Sequence, residues 1–415
     1  DFEAGINARS NNRSPGITKF SANMLKQLSD QAKHVMFDLL NHLWKHKRVP
    51  QHWKNKWVVL IPKDPGPNVS IDRLRPICLL ETTRKLWSAI IMVRIMQVLE
   101  KHKVLQDMQS GFRSGVSTTT SLLQFINAME LAEQKKAPLF YTSYDIRKAF
   151  DRPPKGLIKL AWTRVGVPED VAQWLVDLDV GGKSYIKSPW AQAQTKNHKM
   201  ISRSTCPFFE QIMGVPQGSS EGGNTWLVIF DILLTMLKLR RVSRYHIQDT
   251  MGELRPQNPT AFADDLLTYD PDIEGVQLHA DVISFFCMMT GLEIAPSKMV
   301  ARATNAQAGD QDLSISLWTL NGSRAQVPIE HGQQEDDISL MRYLGVYVEP
   351  DLSWRGQYDK LRVKTENLVR ILSTSRASTS IKWYAMAMCG YAALTYPAKY
   401  APWALHEYEN LFRPL

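Results

Sequence analysis

The chain has 415 residues, 44% of them hydrophobic, enough for a large core and more than one subdomain. Its formal net charge of +9 suits a polyanionic partner but says nothing about fold. Four scattered cysteines (78, 206, 287 and 389) exclude a Cys-x-x-Cys zinc or redox motif and suit a reducing compartment. No signal-peptide pattern and no run of about 18 apolar residues is read, so no membrane partner is expected.

Residues 20–47 read as an amphipathic helix with Leu25, Leu28, Val35, Leu39 and Leu43 on one face. Residues 45–63 hold six Lys/Arg and no acid, interleaved with Trp44, Trp53 and Trp57. That segment reads either as a phosphate-binding, base-stacking surface or as core tryptophans among solvated lysines. Short strands follow over 49–80, with a Pro-Gly turn at Asp64–Pro67, then a helix over 81–105 through Leu86, Ile90, Val93 and Val98. The pattern continues as a strand at 138–145, a helix at 155–178 and a loop or hairpin at 180–213. An apolar helix at 219–240 runs through Trp226, Phe230 and Leu234, with Ser219 placed to cap it. A hairpin is expected around 260–269, and a helix at 274–290 with Val282, Ile283, Phe286 and Met289 inward. The polar stretch 303–340, with Glu335-Asp336-Asp337, reads as an irregular solvated insertion. From about 354 the pattern is helical, with stripes at Leu361, Leu368, Ile371 and Leu372, and at Trp383, Tyr384, Met386 and Tyr391.

Two acidic sites carry the chemistry. Asp264 and Asp265 are adjacent inside the apolar frame Ala261-Phe262-Ala263-Asp264-Asp265-Leu266-Leu267, where burying them uncompensated is costly. Alternation along a strand would split them between faces, so a tight hairpin with both acids at its tip facing a metal is the economical solution. A plain surface turn is the alternative. The second site ends the aromatic-rich run Leu139 to Tyr144 at Asp145, which only a fold could bring to Asp264. Such a cluster suits two-metal phosphoryl transfer, with Mg²⁺ ions ~3.5–4 Å apart stabilising the attacking and leaving oxygens. Mg²⁺ needs only one or two carboxylates besides substrate phosphates and water. Asp151 lies past the strand end and suits a helix N-terminal or salt-bridge role better.

The motifs around these acids form an ordered series. They are Ser14-Pro15-Gly16-Ile17, Ile61-Pro62-Lys63, Arg75-Pro76-Ile77-Cys78-Leu79-Leu80 and Gln109-Ser110-Gly111-Phe112-Arg113. Next come Asp145 to Asp151, Gly214-Val215-Pro216-Gln217-Gly218-Ser219 and Phe262 to Asp265. Gly291-Leu292-Glu293-Ile294 with Lys298, then Tyr343-Leu344-Gly345-Val346, close the series. In this order they resemble the reverse transcriptase domain of non-LTR (LINE-like) retrotransposons, which is similar to group II intron reverse transcriptases. The sequence departs from that pattern at Thr18 and Pro296, and Arg152-Pro153-Pro154 is unusually rigid.

The resemblance implies an α+β right-hand polymerase: fingers and an N-terminal extension over 1–137, a palm with an antiparallel sheet and part of the fingers over 138–350, and a helical thumb or connection over 351–415. It implies RNA-directed DNA synthesis, with two Mg²⁺ ions (Mn²⁺ as a substitute) on Asp145, Asp264 and Asp265. Lys63 and Arg75 would hold the triphosphate of a dNTP, with Arg73 a weaker competitor. Phe150 would pack on the sugar and reject a ribose 2′-OH. Gln217, Gly218 and the loop backbone would shape the nucleotide pocket, and Lys298 would protonate the leaving pyrophosphate. Lys360, Arg362, Lys364 and Arg370 could face the template–primer duplex. The implied partners are an RNA template, a DNA primer or target DNA, and the remaining domains of a polyprotein. The implied setting is intracellular, in the nucleus or a cytoplasmic ribonucleoprotein. Competing readings are an RNA-dependent RNA polymerase with a related palm and a lapsed palm that only binds RNA.

Overall fold

The computed structural model describes residues 1–63, 70–187, 208–240, 246–248, 254–256, 259–305, 313–331 and 340–414. Its strands are β1 (Lys56–Pro62), β2 (Leu74–Leu79), β3 (Leu139–Tyr144), β4 (Lys183–Lys187), β5 (Phe208–Glu210), β6 (His246–Gln248), β7 (Leu254–Pro256), β8 (Thr260–Phe262), β9 (Asp265–Asp270), β10 (Val300–Thr304), β11 (Ser314–Trp318), β12 (Arg324–His331), β13 (Met341–Tyr343) and β14 (Val346–Val348). Six of them form a central sheet, β11-β12-β10-β3-β9-β8, and four form a second sheet, β2-β1-β4-β5. The centre of the larger sheet is antiparallel as expected, but β12 joins β10 in parallel.

β3 lies mid-sheet with both faces covered. Phe140 and Tyr144 enter one core with Leu266, Ile229 and Phe286, while Leu139 and Tyr141 enter another with Phe125, Leu267 and Tyr343. Two buried faces leave no room for polar alternation, so the strand reads as one apolar run ending in an acid. The helix Gly222–Leu239 fills the first core with Trp226 to Phe230. Length and composition alone would let it cross a membrane, but most of it is buried inside the protein. The helix Thr118–Lys135, unread in the sequence, lines the second core with Leu122, Phe125 and Met129.

Several expectations need correction. The 20–47 helix is two, Ala22–Lys26 and Asp30–Lys45, because Ser29 caps a fresh start. Val35 and Leu39 are exposed and Leu40 takes the inward place. The 155–178 helix breaks into Lys155–Arg164 and Glu169–Asp177 at Gly166, with φ +90°, and Pro168. Val93, Val98, Met289, Ile371, Trp383, Tyr384 and Tyr391 are exposed rather than inward. Periodicity tells which residues share a face, not how far a packing partner extends along it.

The described part of 303–340 is not irregular. β11 and β12 extend the central sheet and bury Ile315, Leu317, Val327 and Ile329. The Asp64–Pro67 turn and Glu335-Asp336-Asp337 lie outside the described residues. In the basic segment, Trp53 is buried with its indole N–H on Thr83 (3.0 Å), and Trp44 packs edge-on to Trp174 (5.2 Å), so these two rings serve the core.

A buried charge cluster ties the smaller sheet to three helices beside it. Arg84 reaches Asp179 (3.0 Å) and Glu221 (2.6 Å), and also donates to the carbonyls of Trp53 and Leu178. Lys56 on β1 meets the same Asp179 at 3.2 Å. Burial alone would raise the Asp179 pKa, but Arg84, Lys56 and Lys155 outweigh it and hold it at about 2. Arg84→Met leaves two buried carboxylates short of a partner and should destabilise the fold by about 3–5 kcal/mol. Urea unfolding followed by circular dichroism should show a clearly lowered midpoint; an unchanged midpoint would remove the cluster from the stability account.

Candidate active site

Phe262 pairs with Asp265 across β8 and β9, so the hairpin loop is only Ala263 and Asp264. Ala263 has φ +58°. A positive φ at the first loop residue matches the twist of the flanking strands and usually calls for Gly. The acid pair therefore sits at the tip of a tight hairpin, as the sequence suggested. β3 pairs with β9 up to Tyr144↔Leu266. One step further along that register, Asp145 stands opposite Asp265 on the same face.

The crowding shows in their protonation. Burial, then the Asp264 and Asp145 charges, push the Asp265 pKa up to about 6, with Arg342 opposing. Asp265 keeps an open flank to solvent. Asp264 is raised as well, by burial first and by Asp145, against a backbone hydrogen bond that lowers it.

Lys298 ends the short Pro296–Lys298 turn, with its ammonium 3.3 and 3.4 Å from the two Asp145 carboxylate oxygens. Its segment is stitched to the end of β3. The Ala295 N–H donates to the Asp145 carbonyl (2.9 Å), the Arg147 N–H donates to the Glu293 carbonyl (2.7 Å), and the Glu293 carboxylate pairs with Arg147 and Arg152. Pro296 falls at the first position of the turn, where no N–H is needed, so this departure from the family pattern is tolerated.

The Gly214–Ser219 loop threads between the turn at Asp151 and β2. A Cβ on Gly214 would fall 2.5 Å from the Asp151 carbonyl, and one on Gly218 would fall 3.0 Å from the Cys78 carbonyl. The Cys78 N–H donates to the Gln217 carbonyl (2.8 Å), and the Gln217 amide donates to Asp151 (3.3 Å). Asp151 thus braces Gln217 instead of capping a helix, and burial raises its pKa. Ser219 does not cap the apolar helix, which begins after Glu221; its hydroxyl has no hydrogen-bond partner among the described residues.

Phe150 is half-buried on a turn, with Trp226 at 5.5 Å and Phe112 edge-on at 6.2 Å. Ile61 pairs with Arg75, and the Lys63 N–H donates to the Arg73 carbonyl (2.9 Å), which puts Lys63, Arg73 and Arg75 on one face of the β1–β2 ribbon. Lys63 and Arg75 are exposed, and the Lys63 charge is felt at Asp151. Sequence reasoning assigned no role to Gln109, to the Trp226 indole N–H or to Arg342, although all three act on the hairpin. Gln109 lay inside a quoted motif, which was the available signal.

A family model described as "Reverse transcriptase (RNA-dependent DNA polymerase)" matches residues 61–348. The chain belongs to the reverse transcriptase family. It is 25% identical over 349 residues to "Probable RNA-directed DNA polymerase from transposon BS" of Drosophila melanogaster, covering 82% of this chain and 34% of that protein. It is 24% identical over 313 residues to "Retrovirus-related Pol polyprotein from type-1 retrotransposable element R2" of Nasonia vitripennis, covering 74% of this chain and 27% of that protein. The chain thus spans about a third or less of the length of these relatives. Among solved structures, apo telomerase from Candida tropicalis, truncated from its C-terminal domain, aligns over 76% of this chain and 59% of that one, with TM-score 0.45 and 11% identity. The family is the one the ordered motifs pointed to, and the architecture mixes helices with a largely antiparallel central sheet, as the sequence predicted.

Among the described residues of this member of the reverse transcriptase family, no three His, Cys, Asp or Glu side chains draw close enough to enclose a metal. Asp145, Asp264 and Asp265 are gathered but form no closed cage. The fit to Mg²⁺ rests on charge: the carboxylates repel one another and raise the Asp265 pKa. A hard cation that keeps its waters and takes further oxygens from substrate suits so open a set.

The sign of one pH effect follows. In the metal-free protein Asp265 holds its proton more tightly folded (about 6) than unfolded (about 3.9), so its contribution is lost as pH rises through that window. Asp265→Asn should therefore raise the melting temperature in EDTA at pH 7, and the gain should disappear near pH 4. Thermal melts at the two pH values check this.

Proposed function

We propose that this chain is an RNA-directed DNA polymerase of a non-LTR retroelement. A primer 3′-OH attacks the α-phosphate of a dNTP on an RNA template. Asp145 and Asp264 would hold two Mg²⁺ ions, for which Mn²⁺ could substitute, and Asp265 would support one of them. When bound, the ions stabilise the attacking and leaving oxygens. Lys63 and Arg75 neutralise the triphosphate, Gln217 and Gly218 shape the nucleotide pocket, and Phe150 reads the sugar. Lys298 sits beside Asp145 and supplies a proton to the leaving pyrophosphate.

The observation that carries this reading is the β3–β9 register, which puts Asp145 across from Asp265 beside Asp264. Residues 1–137 serve as fingers, 138–350 as palm and 351–415 as a helical thumb. β4 pairs with β1 and β5 with β4, so this stretch of 138–350 belongs with the fingers. The greater length of the relatives supports a place within a longer polyprotein. The thiols of Cys78, Cys287 and Cys389 are free, which supports an intracellular setting, nuclear or in a cytoplasmic ribonucleoprotein.

Asp264→Asn should lower Mg²⁺-dependent extension of a DNA primer on an RNA template by about 10³-fold or more, several kcal/mol of transition-state stabilisation. RNA binding should persist. Full extension by this variant would leave a palm that merely binds RNA. Phe150→Ala should improve rNTP use relative to dNTP by at least about tenfold, as steric rejection of the 2′-OH is lifted. Equal use of both sugars by the unaltered chain would favour an RNA polymerase instead.

A further inference from the structure

The acid hairpin is held from behind by groups to which the polymerase reading gives no part. Gln109 is buried, and its amide oxygen accepts from the Ala263 N–H and the Gly111 N–H, both at 2.8 Å. Its amide nitrogen donates to the Ala263 carbonyl at 3.1 Å, and the Trp226 indole N–H donates to the same carbonyl at 2.9 Å. Ala263 thus has both backbone polar groups fixed by side chains from other elements. It is the residue just before Asp264 and the one with positive φ at the tip. Without outside support that conformation is unfavourable for an L-residue.

Backbone contacts continue the grip. The Ser110 N–H donates to the Ala261 carbonyl (2.8 Å), and the Ala261 N–H donates to the Met108 carbonyl (2.9 Å). Gly111 allows the approach: a Cβ there would fall 2.2 Å from the Ala263 nitrogen. The next residue, Phe112, meets Phe150 edge-on. One segment therefore touches both the acid tip and the ring that faces the sugar.

We propose that Gln109 is a positioning residue that fixes the Asp264–Asp265 tip in its metal-binding geometry, an inference that rests on reading this site as the metal-dependent polymerase centre. Asp264 and Asp265 repel each other and Asp145, so an unrestrained tip would relax apart. The Gln109 amide holds it by satisfying Ala263 in the one conformation that keeps the acids opposite Asp145. It touches neither substrate nor ion. Loss of a group that orients a metal ligand typically weakens metal binding about 10–100-fold.

The test is Mn²⁺ binding to the whole chain, read by electron paramagnetic resonance without nucleotide or nucleic acid, alongside the Mg²⁺ dependence of primer extension. Gln109→Met keeps the volume and removes the hydrogen bonds. It should weaken Mn²⁺ binding at least about tenfold and raise the Mg²⁺ needed for half-maximal rate, with kcat recovering at high Mg²⁺. Gly111→Ala attacks the same contact from the other side and should act alike if Gln109→Met fails to fold. Leu86→Ala, a core truncation away from the tip, should lower stability and leave Mn²⁺ affinity unchanged. Folded Gln109→Met and Gly111→Ala proteins with wild-type Mn²⁺ affinity would overturn the proposal. A wild-type chain that binds Mn²⁺ yet extends no primer would defeat the polymerase reading and leave the Gln109 test standing. A wild-type chain that neither binds Mn²⁺ nor extends a primer would defeat both.

Discussion

Mutual repulsion of three carboxylates is the constraint around which this protein is organised. Asp145 and Asp265 stand opposite each other because β3 and β9 pair in one register, and a slip by one residue would turn one of them to the other face. That register is secured by burial on both sides of the sheet, through Phe140, Tyr144 and Leu266 on one face and Tyr141, Leu267 and Tyr269 on the other. Hydrophobic packing, which is indifferent to the acids, supplies the free energy that holds like charges together. The raised pKa of Asp265 follows from its burial first and then from the neighbouring Asp264 and Asp145 charges.

Two mounts refine what the sheet begins. The Gly291–Lys298 segment bonds to the Asp145 backbone and places the Lys298 ammonium against its carboxylate. The Gln109–Phe112 segment bonds to the hairpin tip from the other side. A similar logic governs the Gly214–Ser219 loop, where Gly214 and Gly218 let the backbone press against Asp151 and Cys78. Below it, Arg84, Asp179 and Glu221 join the helix that opens at Thr82, the end of the helix Glu169–Asp177 and the start of Gly222–Leu239. The loop thus stands on a rigid joint between the smaller sheet and the helices beside it.

The hairpin was legible because Asp-Asp inside an apolar frame has few other solutions, and β3 because a strand covered on both faces carries no polar alternation. β11 and β12 were missed. Their Ser-Ile-Ser-Leu alternation is short and lies in a polar stretch, and only the Ile273–Thr290 helix beneath them makes it decisive. Ser219 was read as a cap because it precedes an apolar run, but the glycines at 222 and 223 let the helix start later. Val93 and Val98 keep helical phase with Leu86 and Ile90, yet the face they share runs out of partner.

Chemistry-bearing residue types and their order along the chain were fixed by sequence alone, and with them the family: acids in apolar runs and glycines in tight loops report local costs that few folds can meet. Which acid faces which, that Lys298 rests on Asp145, that Asp151 braces Gln217 and that Gln109 grips Ala263 were decided by tertiary structure. Each of these contacts joins segments far apart in the chain, and their geometry depends on strand register and close packing, quantities that no local stretch of sequence contains.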